Sequence, residues 1–421
     1  MKSFSRYLQE RLDERKLELR EEVNTHMTHI EDLVLNMGVK GTRTAINFLR
    51  DLRDMLNGHT DRAIRTSVKI DGAPAIFAGH DPEDGQFFVA KKSIFNKVPK
   101  VYKTPAEVRA DTKGDLQGKM LLALKHLPEI GIPKNLIIQG DFLYDRSSLG
   151  TESVDGQKMI TMHPNTIVYM VPDNSDLGKR IKSSQIGIVW HTTYQGRSLD
   201  SLSASFASNI KSKLKKSRNV WFDDALITDL SGLTTLTSSE TKELNQLLSS
   251  IGKKFQKMDA SVLNEISEQS SLLAEIKIFV NSKVRSGDGM TGGKQTVEDL
   301  IDWLNARWDA KIDQMKSETG QEKKREEKKE LMAYFDRHST LAISRLFDLM
   351  AEMAQAKQII IGRLNQIGQM KTFVKTKNGL RVVGQEGFVA IDHLGTSAIK
   401  LVDRLEFSTN NFSKDILKGW E

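Results

Sequence analysis

The sequence predicts an α+β protein built around a largely antiparallel sheet, with helices before the sheet and a large helical domain inserted into it. Apolar residues recur with helical spacing in residues 1–62 and 198–370. Short β-branched and aromatic runs, separated by Asp-Gly and proline-containing breaks, fill residues 63–197. Similar runs return in residues 371–421, so we expect the sheet to be left and then re-entered.

The composition limits the possible classes of function. With 421 residues, the chain is long enough for two or three domains. No apolar run approaches the roughly 20 residues of a membrane span, so we expect no membrane contact. The absence of cysteine excludes disulfides, thiolate metal sites and cysteine catalysis, and fits a cytoplasmic location. The net charge of +7 favours a polyanionic partner such as nucleic acid.

The N-terminal segment, residues 1–62, is predicted to be helical. One apolar stripe follows the spacing of a single helix face, and its members are Ala45, Phe48, Leu49, Leu52 and Leu56. Asn57-Gly58 follows this stripe and is a typical helix stop. We therefore expect a long amphipathic helix that ends close to residue 57.

The first part of the core, residues 63–197, alternates short strands with turns. The strand-like runs are "RTSVKI", "PAIFAG", "QFFVAKK", "NLIIQGDFLY", "NTIVYMV" and "IGIVWHTTY". One helix, at about residues 115–127, interrupts them. In the second part, Lys377-Asn378-Gly379 is a strong hairpin signal between two further strands.

The inserted domain, residues 198–370, is predicted to open with a helix over "SLSASFASNIKSKLKKS". Its basic cluster at 211–218 is expected to be a solvated face, with contact to a phosphate backbone as the alternative. The glycine-rich loop 285–296 lacks the spacing of a phosphate-binding loop, so we expect a connection between helices. Residues 317–331 are densely charged and predict a solvated helix. The amphipathic faces of this insertion favour a protein partner.

Lys69 is the most informative single residue, because it ends a strand-like run and is followed by Asp71 and Gly72. A lysine amine is a poor nucleophile at its free pKa of about 10.4, and burial or neighbouring cations activate it. A lysine that attacks a nucleoside triphosphate also needs cations for the phosphates, carboxylates for metal and ribose, and an aromatic face for the base.

Groups of these kinds follow Lys69 at or near strand ends. They are Lys91 and Lys92, Asp141, Trp190, Glu386 and Lys400. Lys400 lies inside an apolar strand, where a lone lysine is costly unless it has an anionic partner. This cost favours an anion-binding role for Lys400.

The order of these motifs resembles the covalent nucleotidyltransferase superfamily, which comprises polynucleotide ligases and RNA capping enzymes. Lys69-Ile70-Asp71-Gly72 matches its Lys-x-Asp-Gly motif, Asp141 its acidic strand end, Glu386-Gly387 its Glu-Gly motif, and Lys400 its final lysine strand. The resemblance covers residues 64–195 and 371–407. It implies an antiparallel-sheet nucleotidyltransferase core of the ATP-grasp-like ligase type.

The resemblance also implies a role for each residue. Lys69 would attack the α-phosphate of ATP and carry AMP. Lys400 and Lys92 would neutralise phosphate charge, with Lys91 as the alternative to Lys92, because strand alternation points only one of that pair inward. Asp71 and Gly72 would shape the turn and help bind the nucleotide.

The remaining roles concern ribose, metal and base. Asp141 would bind the ribose hydroxyls, and Asp141 and Glu386 would help to place Mg²⁺. Trp190, or a nearby aromatic residue, would stack on adenine. ATP and Mg²⁺ are therefore the expected cofactors.

Only 17 residues follow Arg404, so no barrel domain of the DNA ligase type is expected after the last motif. This favours an RNA ligase that joins 3′-OH and 5′-phosphate ends. Nicked DNA, GTP-dependent capping and transfer to a protein remain alternatives. Asp141, Pro74 and Val402 depart from the common motif residues, which leaves an inactive phage structural or assembly protein as a further alternative.

The whole chain also resembles a protein family of large tailed phages. Expression of such a protein would place it in the cytoplasm of the host.

Overall fold

The computed structural model describes residues 27–58, 65–206, 209–227, 235–289, 291–367, 370–391 and 398–419. They form an α+β fold with antiparallel sheets, as the sequence predicts. The helical prediction for residues 1–26 lies outside the described residues.

The helices are α1 (Leu33–Leu56), α2 (Pro105–Asp111), α3 (Gly114–His126), α4 (Asp176–Ser183), α5 (Ser238–Gln256), α6 (Ala260–Glu268), α7 (Ser270–Ser286), α8 (Lys294–Asp313), α9 (Glu318–Arg337), α10 (Thr340–Leu364) and α11 (Arg404–Phe412). Short 3₁₀ turns lie at Ile30–Asp32, Lys92–Phe95, Leu127–Ile130, Arg146–Ser148, Leu199–Ser201, Lys211–Lys213 and Asn365–Ile367.

The strands are β1 (Arg65–Lys69), β2 (Ala75–His80), β3 (Phe87–Ala90), β4 (Ile137–Asp145), β5 (Gly150–Val154), β6 (Gln157–Met162), β7 (Ile167–Pro172), β8 (Ile186–Gln195), β9 (Ser203–Phe206), β10 (Val220–Asp224), β11 (Leu226–Ile227), β12 (Lys371–Thr376), β13 (Gly379–Val382), β14 (Gly387–Ile391) and β15 (Ala398–Leu401).

Three sheets organise these strands. The four-stranded sheet has the order β11-β1-β14-β15, and the five-stranded sheet has the order β13-β12-β7-β6-β5. The six-stranded sheet has the order β10-β8-β4-β2-β3, with β9 also paired to β8. The pairing of β10 with β8 is parallel, and the other described pairings are antiparallel. Because β14 pairs with β1, the chain does re-enter its first sheet after the helices.

Helix α1 confirms the predicted apolar stripe. All five stripe residues are buried, and the helix ends at Leu56, immediately before Asn57-Gly58. Near its start, Gly38 adopts a left-handed φ of 53° and interrupts the helical geometry. A Cβ at Gly38 would lie 2.5 Å from Oδ1 of Asn264, so glycine is required there for two reasons.

Helices α1 and α5 to α10 share one apolar core, and we call this group the helical body. The same core includes Phe388, Ala390, Ile399 and Leu401 from one face of the four-stranded sheet. The inserted helices therefore pack directly on the back of the sheet that carries Lys69, rather than forming a detached domain.

The predicted helix at the start of the insertion is wrong. Residues 203–206 form β9, which pairs with β8, and the basic cluster at 211–218 contains only a short 3₁₀ turn. Strands β10 and β11 follow, so the sheets continue to residue 227. The apolar residues Leu202, Ala204 and Phe206 alternate with serines, which is the periodicity of a strand, and the segment pairs with β8.

The other predicted elements are confirmed. Helix α3 covers the expected position, and Lys377-Asn378 turns the β12–β13 hairpin. The glycine-rich loop connects α7 to α8, and α9 is the solvated charged helix. Among the described residues, no helix is long and apolar enough to cross a membrane.

A buried ion pair joins the helical body to the segment before α1. Lys357 on α10 donates to Glu31 at 2.7 Å, and both side chains are almost fully buried. Arg404 lies 3.5 Å from Glu31 and 2.6 Å from Asp32, so the network also reaches the start of α11. The two regions are thereby fixed beside β15.

We expect Lys357→Met to lower the free energy of unfolding by about 3–5 kcal/mol, because it leaves the Glu31 carboxylate buried beside one weaker partner. Urea denaturation measures this loss. The matched control is Lys329→Met, whose partner Glu326 is 60% exposed, and it should cost no more than about 1 kcal/mol. Equal losses in the two variants would contradict the importance of the buried pair.

Candidate functional site

Lys69 and Glu386 form the centre of the site. Lys69 is the last residue of β1, and its cross-strand partner on β14 is Gly387, the residue after Glu386. The Lys69 Nζ contacts Oε1 of Glu386. The lysine side chain is 29% exposed and the glutamate side chain is 7% exposed. The amine is therefore partly open to solvent, whereas the carboxyl that it contacts is buried.

The environment of Glu386 is unusual for a glutamate. Burial raises its pKa to about 7, against the lowering effect of Lys69, and the nearby charge of Asp71 raises it further. Its second oxygen, Oε2, is buried and has no hydrogen-bond partner among the described residues. One oxygen of Glu386 therefore holds the lysine, and the other is left for a further ligand.

Asp141 reaches the same site from the six-stranded sheet. It lies on β4 between Ala75 of β2 and Val189 of β8. Burial raises its pKa to about 8. The positive charge of Lys69 opposes this shift, whereas the negative charge of Glu386 adds to it. These mutual effects show that the three predicted residues lie close together.

His191 is a site residue that the sequence did not single out. A register shift in the β4–β8 pairing places Trp190 opposite Gly140 and Thr192 opposite Gln139, so His191 is an extra residue between them. Its Nε2 lies 3.6 Å from Oδ2 of Asp141. Burial, followed by the charge of Lys69, lowers its pKa to about 4, so the ring is neutral at physiological pH.

Trp190 does not join the site, which corrects the expectation that it stacks on the base. Its ring is fully buried in the apolar cluster that also contains Met120 and Ala123 of α3. A Cβ on Gly140 would lie 2.7 Å from the Trp190 ring, which shows how closely the ring covers β4. No ring face of Trp190 is open to the cleft, and the bulge presents the neighbouring His191 instead.

Asp71 fixes the turn that follows Lys69. Its carboxylate accepts hydrogen bonds from the backbone N–H groups of Thr166 at 2.7 Å and Ile167 at 2.9 Å, and from the Asn165 amide at 2.6 Å. The backbone N–H of Asp71 donates to the Tyr169 hydroxyl at 2.6 Å. The side chain thus ties the lysine turn to the start of β7.

Gly72 allows the turn to approach β4. A Cβ at this position would lie 2.5 Å from Cβ of Asp141, closer than real Cβ atoms come. Pro74 follows through a cis peptide bond and leads into β2. The Asp-Gly pair therefore orients Lys69 and brings it next to Asp141.

The two lysines after β3 have different surroundings, but they lie beyond the end of the strand, with Lys92 opening a 3₁₀ turn, so strand alternation does not apply to them. Lys91 Nζ lies 3.2 Å from Asp111 and 5.8 Å from the Tyr102 ring centre. Lys92 is exposed, and its charge acts on Asp141 in the direction that lowers the pKa of that carboxyl. Of the two lysines, Lys92 is the one whose charge acts on the site, whereas Lys91 is paired with Asp111.

Lys400 lies on the same sheet face as Lys69. It pairs with Val389 of β14, which pairs in turn with Ser67 of β1, two residues before Lys69. Its neighbours Ile399 and Leu401 face the helical body. Burial lowers the pKa of Lys400, and the charges of Lys69 and Arg404 lower it further.

In the nucleotidyltransferase superfamily, which the motifs resemble, a second lysine is common at the position of Val402. It is buried, and a Cβ on Gly387 would lie 2.5 Å from its Cγ2. Val402 therefore packs against the strand residue next to Glu386 instead of entering the cleft.

The described residues contain no ready-made group of three or more histidine, aspartate or glutamate side chains arranged for a metal. Mg²⁺ needs fewer protein ligands, because it keeps several waters and uses one or two carboxylates beside a phosphate. The unpartnered Oε2 of Glu386 and the partly buried carboxyl of Asp141 suit a hard cation of this kind. The two predicted ligands therefore fit Mg²⁺.

The fold and the site define an α+β protein in which a lysine lies beside the buried carboxyl of Glu386 and the partly buried carboxyl of Asp141. The chain belongs to the family described as a family of unknown function (DUF6267), whose model matches residues 24–416. No curated protein and no solved structure matches the chain.

We expect Asp71→Ala to lower the free energy of unfolding by about 2–4 kcal/mol, because it leaves two backbone N–H groups buried without an acceptor. Urea denaturation provides the measurement, with Glu152→Ala on the exposed strand β5 as the control. A loss below about 0.5 kcal/mol would mean that the Asp71 hydrogen bonds do not support the turn.

Proposed function

We propose that this protein is an ATP-dependent nucleotidyltransferase that forms lysyl-AMP at Lys69 and uses it to join nucleic acid ends in the manner of an RNA ligase. One observation carries the proposal. Lys69 contacts the buried Glu386, its turn approaches Asp141 closely at Gly72, and it shares a sheet face with Lys400, although these residues come from distant parts of the sequence.

The first step is an in-line substitution at the α-phosphorus of ATP. The Lys69 Nζ gives up a proton to the Glu386 carboxylate, which contacts it. The neutral amine then forms an N–P bond as the bond from the α-phosphorus to the bridging oxygen breaks. The electron pair of that bond leaves with pyrophosphate. A carboxyl with a pKa of about 7 is well matched to accept this proton near neutral pH.

The other groups stabilise charge and position the nucleotide. Lys400 and Lys92 supply positive charge beside the reacting phosphates. Asp141 accepts hydrogen bonds from the ribose hydroxyls. Mg²⁺ held by Glu386 and Asp141 would supply further charge neutralisation at the phosphates when bound.

In the second stage, the AMP group passes to a nucleic acid 5′-phosphate, and a 3′-OH then displaces AMP. The N–P bond breaks, Lys69 regains its amine, and a phosphodiester forms. A polyanionic substrate is supported by the net charge of +7 and by the exposed Lys92, whose charge acts on Asp141.

The test is incubation with α-labelled ATP and Mg²⁺, followed by a denaturing gel. Wild type should retain label that acid or hydroxylamine removes, as expected of a phosphoamide. Lys69→Arg keeps the positive charge beside Glu386 but removes the nucleophilic amine, so it should retain none. Lys158→Ala, which removes a 69% exposed strand lysine, should be labelled like wild type.

Two results would contradict the covalent function: an unlabelled wild type, or equal labelling of Lys69→Arg. If GTP labels the protein in preference to ATP, the protein is instead an RNA capping enzyme. Comparing broken RNA with nicked DNA as acceptors then identifies the class of nucleic acid.

A further inference from the structure

The segment before α1 extends the four-stranded sheet beyond β15. The backbone N–H of Lys400 donates to the carbonyl of Thr28 at 3.1 Å. His29 and Lys400 form a parallel bridge. Paired residues on neighbouring strands place their side chains on the same face, so His29 and Lys400 point the same way.

That face is the one that carries Lys69. Ile30, the residue after His29, is fully buried in the core of the helical body, as are the neighbours of Lys400. His29 alternates with Ile30 and therefore faces the cleft. Because adjacent strands lie roughly 4.8 Å apart, about 10 Å separates the backbones of β1 and β15, and His29 lies one strand further.

The polar groups of this surface lack an anionic partner. Among the described residues, Lys400 has no ion-pair partner, and Nδ1 of His29 is buried without a hydrogen bond. Burial lowers the pKa of His29 well below its ordinary value, and the charges of Arg404, Lys357, Lys400 and Lys69 add to this effect, so the ring is neutral. A neutral imidazole retains one N–H donor.

Of the surrounding cations, three are already compensated. Lys357 pairs with Glu31, Arg404 pairs with Asp32, and Lys69 contacts Glu386. Lys400 has no ion-pair partner among the described residues, and the favourable charges that act on it, from Asp32 and Glu386, belong to carboxylates that are already paired with other cations. The ion pairs of Glu31 with Lys357 and of Asp32 with Arg404 also fix the segment that carries His29. The helical body therefore supports the surface that His29 and Lys400 form.

We propose that His29 and Lys400 form the subsite for the β- and γ-phosphates of the nucleoside triphosphate and hold the pyrophosphate that leaves. This inference rests on the proposed function, because it places the α-phosphate at Lys69. The triphosphate then runs across the sheet, from β1 towards the segment before α1.

The subsite has a specific consequence for ligand preference. Pyrophosphate and ATP contact His29, whereas AMP lacks the two phosphates that reach it. Loss of one hydrogen bond to a charged group lowers affinity about tenfold or more. A substitution at His29 should therefore weaken the binding of pyrophosphate and ATP and leave the binding of AMP unchanged.

The experiment is calorimetric titration of inorganic pyrophosphate, ATP and AMP into the full chain with Mg²⁺ present. His29→Ala should bind pyrophosphate and ATP about tenfold more weakly and AMP normally. His29→Phe keeps a planar ring of similar size without a donor, so it gives the same readout if the alanine variant does not fold. His80→Ala is the control, because its Nδ1 is also buried and unpaired, but it lies at the far end of β2 against Phe87.

Unchanged pyrophosphate affinity in the His29 variants would overturn the subsite, and so would an equal loss of AMP affinity. Labelling with α-labelled ATP keeps the two proposals apart. If the wild-type protein is labelled and His29→Phe binds pyrophosphate normally, only the subsite is contradicted. If pyrophosphate binding depends on His29 but the wild-type protein is never labelled by ATP, only the covalent function is contradicted.

Discussion

The register between β1 and β14 is the constraint on which the site depends. It sets Lys69 opposite Gly387 and thereby brings the amine onto Glu386, which is 317 residues away in the sequence. A slip of one residue would turn Lys69 towards the core of the helical body, because side chains alternate between the faces of a strand. Gly387 helps to fix this register, since a Cβ there would collide with Val402.

Electrostatics explain why these groups are placed together. Two carboxyls with raised pKa values, Asp141 and Glu386, face Lys69 in a partly buried cleft. Lys400 lies across the same sheet face with no anionic partner among the described residues. Under the proposed function, a magnesium nucleotide would place the metal beside the two carboxyls and its phosphates beside Lys400. The helical body supports this cleft from behind through Phe388, Ile399 and the Glu31–Lys357 pair.

Much of the fold was predictable because its signals are local. The apolar stripe of α1, the helix at α3 and the turn of the β12–β13 hairpin each follow from short-range periodicity or turn chemistry. Lys69, Asp141, Glu386 and Lys400 were predictable as a group because each ends or occupies a strand in the expected order. The different surroundings of Lys91 and Lys92 follow instead from the 3₁₀ turn that begins at Lys92.

The errors arose where long-range pairing decides the structure. Trp190 is buried and His191 lies beside Asp141 at a bulge against Gln139 and Gly140, and nothing in the local sequence marks that bulge. Strand β9 pairs with β8, and its short alternation of apolar residues and serines was outweighed in the prediction by the helical interpretation of the longer segment. His29 enters the cleft only because its segment pairs with β15, more than 300 residues further along the chain.

Peptide mapping of the wild-type protein by mass spectrometry, after incubation with ATP and Mg²⁺, tests the central claim most directly. We expect a single AMP adduct, linked through nitrogen to Lys69. An adduct on any other residue, or no adduct under conditions where the folded protein binds ATP, would contradict a covalent role for the Lys69–Glu386 pair.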